Sequence, residues 1–195
     1  MKGKGILGTL LLVAVFAGGA LLFAVFFLVR PDRRDAFPPL HQAARGGSTR
    51  EVTVLLDAGA GLGQLDRGPN GWTPLLHAIH KDQLAVVRLL LARGADPNRL
   101  ALNGTSPLNL AASEGDLATV RVLLAAGARV DGYSGVNALL NAATGGHTQV
   151  VETLAAAAPG LRVPRGPRYW VARLAAHLRG DRRTLALLGR TRARS

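Results

Sequence analysis

The stretch "GWTPLLHAIHKDQLAVVRLLLARGADPN" (Gly71–Asn98) places His77 and His80 three residues apart and follows them at once with Lys81 and Asp82. Residues three apart on a helix share a face, so two imidazoles beside a carboxylate raise the question of metal binding or proton transfer. A protein zinc site draws on three or four ligands. This stretch offers the two histidines and, at best, Asp82. The pair is therefore read as part of a scaffold's inner face, and neither a metal nor any other cofactor is expected.

Other chemistry-bearing strings resolve the same way. "GAGLG" (Gly59–Gly63) looks like a nucleotide loop, but a dinucleotide fingerprint follows a strand and opens a helix, whereas this run closes a helical pattern and enters a turn. "NGT" at Asn103 is formally a glycosylation acceptor, yet it coincides with a turn between two apolar runs. There is no Gly-x-Ser-x-Gly elbow, paired-carboxylate motif or Walker loop. The absence of cysteine removes thiol nucleophiles, zinc thiolates and disulfides. Catalysis is not expected.

The elements that would position these residues are repeats. "PPLHQAARGGSTREVTVLLDAGA" from Pro38, "TPLLHAIHKDQLAVVRLLLARGADPN" from Thr73, "SPLNLAASEGDLATVRVLLAAGARVD" from Ser106 and "NALLNAATGGHTQVVETLAAAAP" from Asn137 align with one another. The opening leucine recurs as Leu40, Leu75, Leu108 and Leu139, at spacings of 35, 33 and 31 residues. Thr73 and Ser106 suit helix N-caps, with Pro74 and Pro107 at the first helical position, where no N–H is required. Alanine pairs (Ala43–Ala44, Ala111–Ala112, Ala142–Ala143) allow close helix approach, and Gly59, Gly94 and Gly127 suit the ends of the second helices. Each helix is too short to persist alone, so neighbours must stack to bury a continuous core.

A period near 33 with a Thr-Pro-Leu opening resembles the ankyrin repeat, over about residues 37–159. The expected fold is an all-α, ankyrin-like helix-turn-helix solenoid of four to five repeats with short hairpin loops, preceded by one N-terminal transmembrane helix. Repeat bounds fall near 37–69, 70–102, 103–133 and 134–159. Two departures stand out: Asp82 replaces the glycine found at Gly47, Gly115 and Gly146, and Ala157–Ala158–Pro159 replaces the Gly-Ala tip. Residues 160–195 fit a degenerate capping repeat if Arg179 takes the glycine slot.

The resemblance implies a non-catalytic protein-binding surface. His77 aligns with Gln42, Leu110 and Asn141, and His80 with Arg45, Ser113 and Thr144; slots so unlike one another are expected of an exposed face. First helices line the concave side of such folds, so His77, His80, Lys81, Ser113 and Glu114 are expected partner contacts. Hairpin positions Asn70, Trp72, Asn103, Thr105, Tyr133 and Val136 join them, with Trp72 and Tyr133 as aromatic anchors. His41, at the family's Thr-Pro-Leu-His position, is expected to be a structural hydrogen-bonder.

Ahead of the repeats, Ile6 to Val29 is 24 residues without a charge, which as a helix spans roughly 36 Å and suffices for a bilayer core. Residues 1–5 form a short basic start and 30–36 a linker. Small residues at Ala17–Ala20 suit signal cleavage, but the apolar run continues beyond them, longer than a signal core. A retained single-pass anchor is the preferred reading, and an exported soluble protein the alternative. Lys2 and Lys4 before the segment, and Arg30, Arg33 and Arg34 after it, are compatible with either orientation.

The formal charge of +12 is concentrated at the other end: Gly160 to Ser195 holds ten arginines and one acid, Asp181. An arginine, alanine, glycine and leucine bias of this kind is also what a GC-rich genome imposes. Arg162, Arg165, Arg168, Arg179, Arg182 and Arg183 could meet an anionic surface. Their helical spacing suits a solvated cap better than a phosphate track, so nucleic acid is not the expected partner.

Overall fold

The computed structural model describes residues 37–191, within a compact unit that begins at Phe37. The proposed anchor at Ile6–Val29 lies outside the described residues, as do Arg192 to Ser195. Among the described residues no helix is long and apolar enough to cross a membrane.

Among the described residues, ten helices form five pairs: α1 (Pro39–Gly46) with α2 (Thr49–Asp57), α3 (Pro74–His80) with α4 (Leu84–Ala92), α5 (Pro107–Glu114) with α6 (Leu117–Ala125), α7 (Gly132–Gly145) with α8 (Thr148–Ala157), and α9 (Pro167–Leu178) with α10 (Arg182–Arg190). The first helices stack in chain order in one layer and the second helices in another. Ankyrin-like solenoid architecture is therefore present through all five units. The core runs between the layers: Leu40, Leu75, Leu108 and Leu139 are at most 3 % exposed, and the alanines behind them are closed off completely or nearly so.

Local chemistry sets the helix boundaries. Thr73 Oγ1 accepts the Leu76 N–H at 3.3 Å and Ser106 Oγ the Asn109 N–H at 3.1 Å, each followed by proline at the first helical position. Second helices are capped by Ser48, Asp116 and Asp181, which accept from Glu51, Thr119 and Thr184 N–H at 3.0–3.2 Å. Each such cap satisfies a backbone donor that the helix cannot satisfy itself.

The turn inside each pair passes through a left-handed residue: Gly47, Asp82, Gly115, Gly146 and Gly180. Asp82, at φ 53°, is the one non-glycine residue with positive φ among those described. The fifth unit corrects the expected register. Gly180, rather than Arg179, takes the slot, because the Asp181 N–H reaches back to Ala176 O as His147 N–H does to Ala142 O.

Loop lengths also depart from expectation. A long connection, 58–73, precedes α3, and a second, 93–106, precedes α5. Before α7 there is no hairpin: the helix begins at Gly132, so the fourth unit opens with an extended first helix. Gly135 makes this possible, since a Cβ there would fall 1.6 Å from Val130 O. Between α8 and α9, Leu161 and Val163 enter the core, and the Val163 N–H donates to Thr191 O at 3.1 Å.

Candidate partner-binding surface

Two loop turns lie side by side and carry the hairpin candidates. The first closes through Asp66 N–H to Trp72 O (2.8 Å), the second through Ala101 N–H to Thr105 O (3.0 Å), and Leu102 N–H to Asn70 O (3.0 Å) joins them. Asn103 Nδ2 donates to Asn70 Oδ1 at 3.3 Å, setting these two exposed amides beside each other at the tips. Thr105 is half-buried, and its N–H donates to Asn103 Oδ1.

Below the tips, the C-terminal ends of α3 and α5 are also joined. His80 Nδ1 lies 2.8 Å from Glu114 Oε1. Lys81, Ser113 and Glu114 are exposed with His80 along this edge, although the Ser113 hydroxyl turns inward to donate to Leu110 O. The half-buried Trp72 ring sits against both histidines, with centroids 5.3 Å from His77 and 5.1 Å from His80. A cavity of about 200 Å³ opens here between Phe37, Arg45, Asp66, Trp72, His77 and His80.

His77 corrects the expectation of an exposed inner face. It is 5 % exposed and its Nε2–H donates to Asp66 Oδ2 at 2.6 Å, while Asp66 Oδ1 accepts the Gly68 and Trp72 N–H groups at 2.9 and 3.1 Å. The physical reason is the long first loop, which brings a buried carboxylate over the helix face that other repeats leave more open. His41 behaves as the resemblance implied: it is buried, and Nε2 lies 2.9 Å from Gln64 O and 3.1 Å from Trp72 O, tying α1 to the same loop. Burial lowers the pKa of both imidazoles below 6.5, against the opposing pull of Gln64 O on His41 and of Asp66 on His77. Both are thus neutral at pH 7 and act as loop fasteners.

Tyr133 and Val136 are corrected as hairpin positions, since both lie in the opening turns of α7. Tyr133 is 79 % exposed and borders a separate cavity with Leu100 and Arg129, whereas Val136 is half-buried against the core. Sequence reasoning passed over Asp66, Leu100 and Leu102. The two leucines are more than half exposed on the second loop. Apolar residues in a run otherwise made of turn formers, "NRLALNG", were the available signal.

The arginines divide into two groups. Arg168 donates to Asn137 Oδ1 and, at 2.7 Å, to Asn141 Oδ1; Arg179 donates to the carbonyls of Ala143 and Thr144. These two fasten α9 and its end to α7. Arg162, Arg165, Arg182 and Arg183 are exposed, Arg183 lying 3.6 Å from Glu152. No group of three or more metal-ligating side chains occurs among the described residues.

Stacked helix pairs with left-handed turns and paired loop tips define a helix-turn-helix repeat solenoid. The family model described as ankyrin repeats (3 copies) matches residues 11–101 and 97–163, most of the chain. The chain belongs to the ankyrin repeat family, whose repeats serve as protein-interaction modules. Among curated proteins it is similar to ankyrin repeat protein nuc-2 of Neurospora crassa, 48 % identical over 63 residues, 32 % of this chain and 6 % of that one. It also resembles the human mitochondrial disaggregase, 43 % identical over 68 residues, 35 % of this chain and 9 % of that one. Zygote-specific protein 3 of Chlamydomonas reinhardtii is 48 % identical over 61 residues, covering 31 % and 15 %. The chain thus spans 15 % or less of the length of these relatives. The fifth helix pair lies beyond the matched residues and is recognised by its stacking.

Proposed function

We propose that this chain is a membrane-tethered adaptor without catalytic activity. Its solenoid holds a protein partner along the edge formed by the first two loop tips and the ends of α3 and α5. The observation that carries this reading is the continuity of that edge: Asn70 beside Asn103, His80 beside Glu114, and Trp72 packed between tip and helix. Two adjacent repeats thereby present one set of polar groups around an aromatic side chain, the pattern of a binding hot spot with a polar rim.

Ile6 to Val29 supplies the tether in this proposal, with 30–36 as linker, 37–159 as the binding repeats and 160–195 as the cap. What the relatives' names say of them, disaggregase included, belongs to those much longer proteins, and no activity is carried over.

A photo-crosslinking residue placed at His80 or Asn103, and for comparison at the exposed Arg88 or Arg121 of the second helices, tests the edge in cells. One discrete adduct from positions 80 and 103, absent from 88 and 121, is expected; equal labelling from all four would remove the proposal. The tether is tested separately by the mass of the mature N-terminus. Retention of Lys2 supports the anchor, whereas a start near Ala17–Ala20 supports the exported soluble form. A reporter fused at the C-terminus then gives the side of the membrane.

A further inference from the structure

Four of the eight large apolar side chains most exposed among the described residues lie on one helix, α9: Trp170, Val171, Leu174 and Leu178, at 53–77 % exposure. Their spacing lays them along one side of the helix. Tyr169, Ala172 and Ala176, on the other side, are buried in the stack. The helix thus carries a second apolar stripe opposite its buried one, and nothing among the described residues covers it. In the register fixed by Ala142 and Ala176, the stripe corresponds to Val136, Asn137, Leu140 and Thr144 of α7, the helix on which α9 itself stacks.

Charge narrows what can lie on it. Residues 160–195 carry ten arginines against Asp181 alone, and Asp181 is engaged as a cap for Thr184 and as acceptor for the Thr148 hydroxyl. A second copy of this end would bring two strongly positive faces together, which repulsion opposes. Arg173 lies with its guanidinium 5.9 Å from the Trp170 ring centroid. Tryptophan and aliphatic residues along one side, with Arg173 against the tryptophan and a basic segment on either side in sequence, is the composition of a helix that lies in a membrane interface.

We propose that the exposed face of α9 docks on an anionic lipid bilayer, with Trp170, Val171, Leu174 and Leu178 entering the headgroup–acyl boundary and the exposed Arg162, Arg165 and Arg182 supplying the attraction. Arg168 and Arg179, engaged with α7, hold the helix in place instead. The inference is independent of the N-terminal tether, which would enter neutral and anionic bilayers alike.

The test uses the full chain with vesicles of phosphatidylcholine alone or with one quarter phosphatidylglycerol, each containing brominated acyl chains that quench tryptophan on contact. The difference between wild type and Trp170→Phe isolates the Trp170 emission, so insertion of residues 6–29 does not contribute. Quenching of about half of that emission in anionic vesicles, and little in neutral ones, is expected for interfacial burial. The double variant Leu174→Ser/Leu178→Ser changes only exposed positions, and its retained fold is checked by circular dichroism. It should bring that quenching down to the level seen in neutral vesicles, from the loss of two buried leucines. Unquenched Trp170 in anionic vesicles, or equal quenching in neutral ones, overturns the proposal. So does a vesicle-free dimer that the double variant dissociates, which would make the stripe a protein interface.

Discussion

His77 Nε2 lies 2.6 Å from Asp66 Oδ2, and the two side chains are only 7 % and 3 % exposed. A carboxylate from the longest loop thus closes over the first-helix face of the second repeat. Asp66 also accepts two backbone N–H groups, so it organises the turn that presents Asn70 and Trp72.

Asp66→Ala should therefore destabilise the domain by about 2–4 kcal/mol, because it leaves three donors without an acceptor in a buried site. Asp66→Asn should cost less, since its carbonyl oxygen can still serve the Gly68 and Trp72 N–H groups. Urea denaturation of both variants checks the order. Equal midpoints for wild type and Asp66→Ala would show that the loop is not held this way.

The same site makes stability depend on pH. His41 and His77 have folded pKa values lowered by burial, while in the unfolded chain both return to about 6.5. Between the folded and unfolded values the unfolded chain binds more protons, so stability rises with pH there. The contribution is complete above about pH 7.5 and is lost as pH falls through 6.5 towards the folded values. Urea midpoints should drop between pH 7.5 and 5.5, and His77→Gln should make that drop smaller. A slope unchanged by His77→Gln would assign the effect elsewhere.

Asp82 stands in the left-handed slot that glycine fills in the other four units. Its side chain is exposed, so nothing but the backbone is altered by Asp82→Gly. The gain from relieving the left-handed conformation exceeds the entropy that glycine loses on folding, and a net stabilisation of about 0.5–1 kcal/mol is expected. Asp82→Val should destabilise by more than that, because a β-branched residue tolerates positive φ least. Thermal melts of the pair provide the check.

Gly135 tests the unusual start of α7. Its absent Cβ leaves room for Val130 O, which would otherwise sit at 1.6 Å. Neighbouring backbone cannot yield as a flexible side chain would, so Gly135→Ala should cost about 3 kcal/mol despite alanine's better helix propensity. Gly160→Ala, where a Cβ would meet nothing within 4 Å, serves as the control.

Much of the stack was legible because its rules are local and repeated. The leucine at positions 40, 75, 108 and 139, the Thr73 and Ser106 caps and the alanine pairs each return at one period, and all are buried or capped as that period requires. The site was less legible because its determining contacts are not periodic. His77 occupies a slot that varies between repeats, and its burial comes from Asp66, eleven residues away in a loop of unique length. Tyr133 and Val136 fall at the hairpin positions of the repeat pattern, but here the chain is already helical from Gly132. In the last unit Gly180, adjacent to the arginine that the 33-residue period selected, takes the turn conformation. A one-residue insertion is invisible to a strict period and is resolved only by the hydrogen bonds.

The terminal unit should also be the easiest to unfold, and Arg168 is the residue that tests it. In a solenoid each unit is stabilised mainly by its neighbours, and the fifth pair has a described neighbour on one side only. Arg168 joins α9 to Asn137 and Asn141 of α7; Asn141 in turn donates to Asn109 of α5 at 2.8 Å, so one polar row crosses three units. Arg168→Ala removes the last link of that row and leaves two amide oxygens short of a donor, at a cost of about 1–3 kcal/mol. The loss should be local. Amide hydrogen exchange in α9 and α10 should accelerate, while α3 to α6, held from both sides, keep their protection. Uniform acceleration across all ten helices would mean that the stack unfolds as one cooperative block, and that Arg168 stabilises the whole rather than its end.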